Sequence, residues 1–201
     1  VVNDGSTDNG LKVVEQFNDS RIRIINQKNK GVSAARNRGI IESKNDFICF
    51  LDADDLWNVR HLEVIVSMVQ KYPEVKVFFN DFIRVNSSDS INSSESTRYD
   101  NTHTYVSDYF NFALKERTIC TPTVAIHTSV FDKVGLFPEE LNRGEDHYIW
   151  TKIGLYYDAV ASDYVGAFYN QEDSMSLSKR NLDLKKSFRS YSESFMNENI
   201  N

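Results

Sequence analysis

The sequence predicts an α/β fold in which a mostly parallel sheet is flanked by helices. Strand-like and helix-like segments alternate through the first half of the chain. The segment at 46–51, DFICFL, is almost continuously apolar, which is typical of a strand buried on both faces. With 201 residues, 40% of them hydrophobic, the chain is long enough for one well-packed domain.

The first half carries the clearest elements. Val1 and Val2 read as the end of a strand, and Leu11, Val14 and Phe17 mark one face of a short helix capped by Thr7 or Asp8. Further strands are predicted at 21–27, 46–51 and 75–85. The helices between them are predicted at 31–43 and 59–72, with Pro73 ending the second.

The second half begins with a polar segment at 86–102 that lacks periodicity and is predicted to be a mobile loop. We then predict a short helix at 105–114 and a strand followed by a second short helix at 123–137. A longer helix is predicted at 145–156 and a strand at 159–170. Spacings of four, three and four between Leu184, Phe188, Tyr191 and Phe195 predict an amphipathic helix in the tail. The predicted division is therefore 1–85, 86–178 and 179–201.

Composition excludes several classes of protein. The formal charge of −6 and the pI near 5.3 argue against a nucleic-acid partner. Cys49 and Cys120 lie far apart and are expected to be buried thiols, neither a disulfide framework nor a zinc site. No apolar run approaches the roughly 20 residues that span a bilayer.

Acidic residues follow two predicted strands and begin one predicted helix. Asp4 follows the first strand, DADD (52–55) follows the strand at 46–51, and Glu145 and Asp146 open a helix. Because carboxyl ends of parallel strands meet at one edge, Asp4 and the 52–55 cluster should share a rim. Closely spaced carboxylates suit Mg²⁺ or Mn²⁺, which commonly bind one or two carboxylates together with a substrate diphosphate.

A structural interpretation competes with this one. Aspartate is common in turns and as a helix cap, so DADDLW alone could be a strand-to-helix turn capped at Asp54 or Asp55. Acids in the first turn of a helix, such as Glu145 and Asp146, also complement the helix dipole. The combination of three clusters favours a functional site.

Four motifs together resemble the family 2 glycosyltransferases. VVNDGSTDNG, NKGVSAARNRG, FLDADDLW and RGEDHYIW occur in the order and approximate spacing of that family, and the resemblance covers residues 1 to about 178. It implies the GT-A fold and transfer of a sugar, with inversion, from a nucleotide-diphospho-sugar to an acceptor hydroxyl. It further implies that the donor is a UDP-sugar and that the pathway is cell-surface polysaccharide or glycan synthesis.

The resemblance also implies which residues bind the donor. Asp4 matches the acid that contacts the nucleobase, and Gly5 lets the backbone approach. Gly31 and Arg36 match the segment along the nucleotide, although a salt bridge to the acidic rim is an equally good explanation for Arg36. Asp52 matches the ribose-contacting first acid of the DxD motif.

A divalent cofactor, Mn²⁺ or Mg²⁺, is implied by the same motif. Asp54 matches its second acid, the metal ligand, and Asp55 is expected to support the turn. The chain has no late histidine to complete the site. His127 and His147 are alternative ligands, although lone histidines are more often surface residues or neighbours of a ligand.

The helix that begins at Glu145 is expected to carry the catalytic base. Asp146 matches the general base of the family, with Glu145 orienting it or touching the acceptor. A single displacement needs a carboxylate to take the acceptor proton. Trp150 is expected to pack in the core.

The expected partners are the nucleotide-sugar donor and a saccharide or lipid-linked acceptor. The expected location is the cytoplasm, with peripheral association at the inner face of the membrane as a further hypothesis. The resemblance implies that a first strand and helix precede Val1, and without them the chain is expected to bind donor poorly. A non-catalytic nucleotide-sugar-binding fragment is therefore the alternative; a nucleotidyltransferase is disfavoured because no basic glycine-rich loop lies near the start.

Overall fold

The computed structural model describes residues 1–85, 102–170, 187, 188 and 195. Its α-helices are α1 (Gly10–Glu15), α2 (Val32–Glu42), α3 (His61–Lys71), α4 (Tyr109–Lys115), α5 (Ser129–Val134) and α6 (Glu145–Tyr156). Its strands are β1 (Val2–Asn3), β2 (Ile25–Asn26), β3 (Phe47–Cys49), β4 (Leu56–Trp57), β5 (Val77–Val85), β6 (His103–Val106), β7 (Val124–His127) and β8 (Ala159–Asn170). The predicted loop at 86–102, apart from Thr102, and almost all of the predicted tail helix at 179–201 lie outside the described residues.

The strands form a mixed six-stranded sheet and a separate pair. The sheet has the order β3-β7-β5-β8-β4, with β6 also paired to β8, while β1 pairs with β2. The β1–β2 and β5–β8 pairs are parallel, and the other pairings between these eight strands are antiparallel. The sheet is thus less parallel than predicted, because alternation along the sequence indicates which strands exist but not the direction in which β4, β6 and β7 return.

The central sheet is buried on both faces. Along β5, Val77 and Phe79 point into one hydrophobic cluster with α5 and α6, and Phe78 points into another with α3. All three side chains are fully buried, and each such burial stabilises the fold by about 2 kcal/mol. The strand at 46–51, for which the sequence predicts burial on both faces, is only Phe47–Cys49. Its Ile48 packs into the first cluster, and Phe47 and Cys49 pack, partly buried, against the second.

Several predicted elements are confirmed, and others differ locally. The helix at 145–156 and the strand at 159–170 have the predicted bounds, and Gly135 ends α5 with a φ of 80°. The strand predicted at 21–27 is only Ile25–Asn26. Helix α1 is preceded by Asn9 and has no side-chain cap; Asp8 instead accepts a hydrogen bond from the Gly10 amide at 2.9 Å.

The helix predicted at 105–114 begins later. Residues 103–106 form β6, which pairs with β8, so Tyr105 belongs to a strand. Asp108 then caps α4 by accepting a hydrogen bond from the Asn111 amide at 2.9 Å. Within the described ranges, no helix is both long and apolar enough to cross a membrane.

Candidate active site

Asp4 binds the loop that leads into α2. Its Oδ1 accepts hydrogen bonds from Gln27 Nε2 at 2.8 Å and from the Lys30 amide at 2.9 Å. Its Oδ2 accepts one from the Gly31 amide at 2.8 Å. The carboxylate therefore fixes the start of α2 against the end of β1.

Two of the predicted donor-binding residues are glycines with backbones that other residues rarely adopt. Gly5 has a φ of 72°, and a Cβ there would lie 2.9 Å from the Asn29 amide nitrogen. Gly31 has a φ of 93° and is the residue before α2. Glycine is favoured at both positions by backbone conformation, and at Gly5 also by close packing.

Arg36, on α2, joins two acidic segments that are distant in sequence. Its Nη2 donates to Asp52 Oδ2 at 2.6 Å, and its Nη1 donates to Glu145 Oε1 at 2.9 Å. The side chains of Arg36 and Glu145 are only 10% and 13% exposed, and that of Asp52 is 31% exposed. The guanidinium carbon also lies 5.4 Å from the centre of the Phe137 ring. This arrangement is the salt bridge that the sequence left as one of two explanations for Arg36.

Glu145 and Asp146 have different surroundings although they are adjacent on α6. Glu145 is engaged by Arg36, and its pKa is raised by burial and by the charge of Asp146, an effect that Arg36 partly offsets. Asp146 is half-buried, and its Oδ1 accepts a hydrogen bond from the His147 amide at 2.7 Å. The arginine thus neutralises one carboxylate of the pair directly.

The 52–55 turn ends on a buried acid. The Asp55 amide donates to the Asp52 carbonyl at 3.1 Å, and Asp55 Oδ1 accepts a hydrogen bond from the Asn170 amide at 3.0 Å. Asp55 Oδ2 has no hydrogen-bond partner among the described residues. Burial, together with the charges of Asp54 and Asp52, raises the pKa of Asp55 to about 7. These contacts fit the expectation that Asp55 supports the turn.

The structure brings most of the predicted residues into two linked groups. One group joins Asp52 and Glu145 through Arg36, with Asp146 beside it. The other joins Asp4 to Gly31, the residue before the helix that carries Arg36. Helix α2 connects the two groups.

The alternative metal ligands are not equally placed. His127 pairs with Phe47 at the start of β3, whereas the 52–55 turn follows the other end of that strand. His147 is exposed and lies next to Asp146. Among the described residues, no three histidine, cysteine or acidic side chains are grouped as a metal site.

The core role predicted for Trp150 is confirmed. Its side chain is 1% exposed and meets the Phe137 ring edge-on, with 6.0 Å between ring centres. Trp150 therefore supports the ring that lies beside Arg36.

Two residues near the site have no individual role in the sequence prediction. Tyr169 does open a segment, 169–178, that resembles the one closing over the donor in family 2 glycosyltransferases, but residues 171–178 lie outside the described residues. Asn37 is buried beside Arg36 and makes hydrogen bonds to the backbone of Phe137. The pKa of Tyr169 is raised by burial and by neighbouring groups that include Cys120, Asp55 and Asp146, so its phenol belongs to the acidic region. Periodicity carries no signal for either residue, because both act through contacts that only the folded chain creates.

A comparison with protein families decides the relationship that these motifs suggested. The model of a family described as glycosyl transferase family 2 matches residues 1–135. The chain belongs to glycosyl transferase family 2.

Curated relatives in the family are longer than this chain. An uncharacterized glycosyltransferase of Rickettsia bellii is 31% identical over 156 residues, which are 76% of this chain and 21% of that protein. The Escherichia coli protein WfgD, named as a UDP-Glc:alpha-D-GlcNAc-diphosphoundecaprenol beta-1,3-glucosyltransferase, is 29% identical over 154 residues, 76% of this chain and 56% of WfgD. The chain thus spans about a fifth to just over half of these two relatives.

A solved structure confirms the predicted GT-A fold. Residues 1–349 of Staphylococcus aureus TarS, crystallised with UDP-GlcNAc, match with a TM-score of 0.78 at 21% identity. The match covers 98% of this chain and 56% of that one. This similarity shows that the two chains share the same arrangement of sheet and helices.

Proposed function

We propose that this protein is an inverting glycosyltransferase that moves a sugar from a nucleotide-diphospho-sugar to an acceptor hydroxyl. The observation that carries the proposal is the Arg36 bridge between Asp52 and Glu145, because it unites the turn expected to bind donor with the helix expected to carry the base. Membership of the family supports the reaction class.

The donor is a UDP-sugar in this proposal. TarS was crystallised with UDP-GlcNAc, and the name of WfgD specifies UDP-Glc. In our chain, Asp4 with Gly5 would contact the base and Asp52 the ribose. The contacts that Asp4 makes to the amides of Lys30 and Gly31 would also shape the backbone wall beside that base.

Asp54 would hold a divalent cation, Mn²⁺ or Mg²⁺. Such ions usually bind through one or two carboxylates plus substrate phosphates, so a full set of three protein ligands is not required. The 52–55 turn offers three carboxylates, and Asp55 Oδ2 is a buried oxygen without a partner among the described residues. When bound, the ion would offset negative charge on the departing diphosphate.

Asp146 is the base in this mechanism because Arg36 already engages Glu145. Asp146 would take the proton of the acceptor hydroxyl as its oxygen bonds to the anomeric carbon of the donor sugar. The bond from that carbon to the diphosphate breaks, the bonding electrons leave with the nucleotide diphosphate, and the configuration at carbon inverts. Proton transfer to a positioned carboxylate typically contributes about 10²- to 10⁴-fold to rate.

The acceptor is a saccharide or a lipid-linked saccharide, and the pathway is cell-surface polysaccharide or glycan synthesis. The name of WfgD, which specifies a diphosphoundecaprenol-linked acceptor, supports this part of the proposal. A lipid-linked acceptor would bring the protein to the inner face of the membrane as a peripheral partner.

Release of UDP from UDP-Glc and UDP-GlcNAc, measured with and without Mn²⁺, tests the reaction class. The wild type should release UDP in the presence of Mn²⁺, and Asp146→Asn should lower the rate at least about 100-fold. Asp132→Asn changes an exposed acid on α5 and is the matched control. Donor binding in thermal-shift measurements without any UDP release would instead favour a non-catalytic nucleotide-sugar-binding fragment.

A further inference from the structure

We propose that Asn37 is a positioning residue that holds Arg36 between Asp52 and Glu145, so that Asp146 alone of the Glu145–Asp146 pair is left to act as the base. The inference rests on the proposed glycosyl transfer, which gives the two acids their separate tasks.

Asn37 forms hydrogen bonds with both the backbone amide and the backbone carbonyl of Phe137. Its Oδ1 accepts a hydrogen bond from the Phe137 amide at 2.8 Å, and its Nδ2 donates to the Phe137 carbonyl at 2.9 Å. Its Nδ2 also lies 3.1 Å from Glu139 Oε1. The side chain is 5% exposed, so an unsatisfied amide or backbone group here would be costly.

Phe137, which Asn37 holds in this way, lies against the Arg36 side chain. The Phe137 ring lies 5.4 Å from the Arg36 guanidinium carbon and packs edge-on against Trp150. Arg36 Nε has no hydrogen-bond partner among the described residues, so the group is located by its two terminal nitrogens and by this ring. Asn37 therefore controls one of the surfaces that place the guanidinium.

The charges around Glu145 make its titration sensitive to that placement. Arg36 faces Glu145 from α2, and Asp146 is its neighbour on α6. Asp52, in the 52–55 turn, shares the same guanidinium. Arg36 thus forms ion pairs with two acids beside a third, Asp146, and movement of Arg36 away from Glu145 would leave the charge of Asp146 less compensated there.

A purely structural role makes a different prediction. If Asn37 only ties α2 to the segment at 137–139, its loss lowers the free energy of unfolding but leaves the protonation of Glu145 unchanged in the folded fraction. If Asn37 positions Arg36, the loss of Asn37 raises the pKa of Glu145 in the folded variant. Loss of an opposite charge within about 4–6 Å typically moves a carboxyl pKa by one unit or more.

The test is a pH titration of the Glu145 side-chain carboxyl carbon by ¹³C NMR, with the resonance identified by its absence in Glu145→Gln. In Asn37→Ala the midpoint should lie about one pH unit above the wild-type midpoint. Asn80→Ala is the matched control, since Asn80 is also a fully buried asparagine but contacts His61 instead of the 137–139 segment. Phe137→Leu keeps both backbone hydrogen bonds and removes only the ring, so it should shift the midpoint in the same direction by less.

A midpoint in Asn37→Ala equal to that of the wild type overturns the inference, as does an equal shift in Asn80→Ala. If Asn37→Ala does not fold, Phe137→Leu decides in the same way. The titration needs no substrate, so it is independent of the proposed reaction. UDP release with an unmoved Glu145 midpoint contradicts only the role of Asn37, and a shifted midpoint without UDP release contradicts only the proposed function.

Discussion

Arg36 Nη1 lies 2.9 Å from Glu145 Oε1, although the two residues are 109 positions apart in the sequence. The same guanidinium reaches Asp52 at 2.6 Å. Both residues of the Arg36–Glu145 pair are largely buried, so the ion pair operates where screening by water is weak. This pair is the contact that joins the two acidic regions of the candidate site.

Removing Arg36 alone should destabilise the protein more than removing Arg36 and Glu145 together. Arg36→Met leaves Glu145 buried without its cation and should lower the free energy of unfolding by about 3 kcal/mol. Adding Glu145→Gln should restore part of that loss, giving a coupling energy of about 1 to 3 kcal/mol in a double-mutant cycle measured by urea denaturation.

The exposed pair Arg60 and Glu63 provides the matched control for this cycle. Their side chains are 37% and 63% exposed, with 2.6 Å between the charged atoms. The corresponding cycle of Arg60→Met and Glu63→Gln should give a coupling energy below about 1 kcal/mol. Equal coupling in the two cycles would show that burial of the Arg36 pair has no energetic consequence.

His61 should make the protein less stable as the pH falls. Its side chain is 1% exposed, and burial lowers its pKa from 6.5 to about 4. The unfolded chain therefore binds a proton more readily, and stability present above pH 6.5 is lost between pH 6.5 and 4 by about 3 kcal/mol. His61→Phe keeps an aromatic ring to stack on Trp57 and lacks this contribution, so its free energy of unfolding relative to that of the wild type should rise by about 3 kcal/mol from pH 6.5 to pH 4. Urea denaturation across this pH range is the measurement, and His147→Gln, a substitution of an exposed histidine, is the control.

Asp55 should contribute less to stability as the pH rises, which is opposite to the effect of His61. Its pKa is raised to about 7, first by burial and then by Asp54 and Asp52. The folded protein therefore holds a proton that the unfolded chain releases, so its contribution to stability is lost as the pH rises from about 4 to 7, by about 1.4 kcal/mol per pH unit. Asp55→Asn keeps an acceptor for the Asn170 amide and should be more stable than the wild type above pH 7 in metal-free buffer.

The same unfolding measurements decide the Asp55 prediction. A pH dependence of Asp55→Asn that matches the wild type would show that Asp55 is ionised in the folded protein near neutrality. Because the slopes expected from His61 and Asp55 oppose each other between pH 4 and 6.5, each must be read from its own variant and not from the wild-type curve.

Local patterns predicted much of the fold. The helix from Glu145 to Tyr156 and the strand from Ala159 to Asn170 follow from periodicity and from short end signals. The mixed direction of the sheet and the strand at His103–Val106 did not follow, because pairing partners are chosen by packing and leave little trace in the paired segment.

The resemblance to family 2 glycosyltransferases named Asp4, Arg36, Asp52 and the Glu145–Asp146 pair as site residues, and their roles stay predictions. The structure shows that Arg36 contacts both Asp52 and Glu145, and that Asp55 is hydrogen-bonded within the 52–55 turn. The hydrogen bonds between Asn37 and the Phe137 backbone join residues 100 positions apart, and no local pattern encodes such a contact. The separate roles proposed for Glu145 and Asp146 depend on that long-range geometry.

The most direct test of the proposed reaction is time-resolved proton NMR of the sugar first released from UDP-Glc in the presence of Mn²⁺. UDP-Glc carries an α-linked sugar, so a single displacement by water must give the β-anomer first. We expect early β-glucose with the wild type and with Asp132→Asn, and little glucose of either form with Asp146→Asn. Early α-glucose would contradict inversion, and wild-type rates in Asp146→Asn would contradict the assignment of the base.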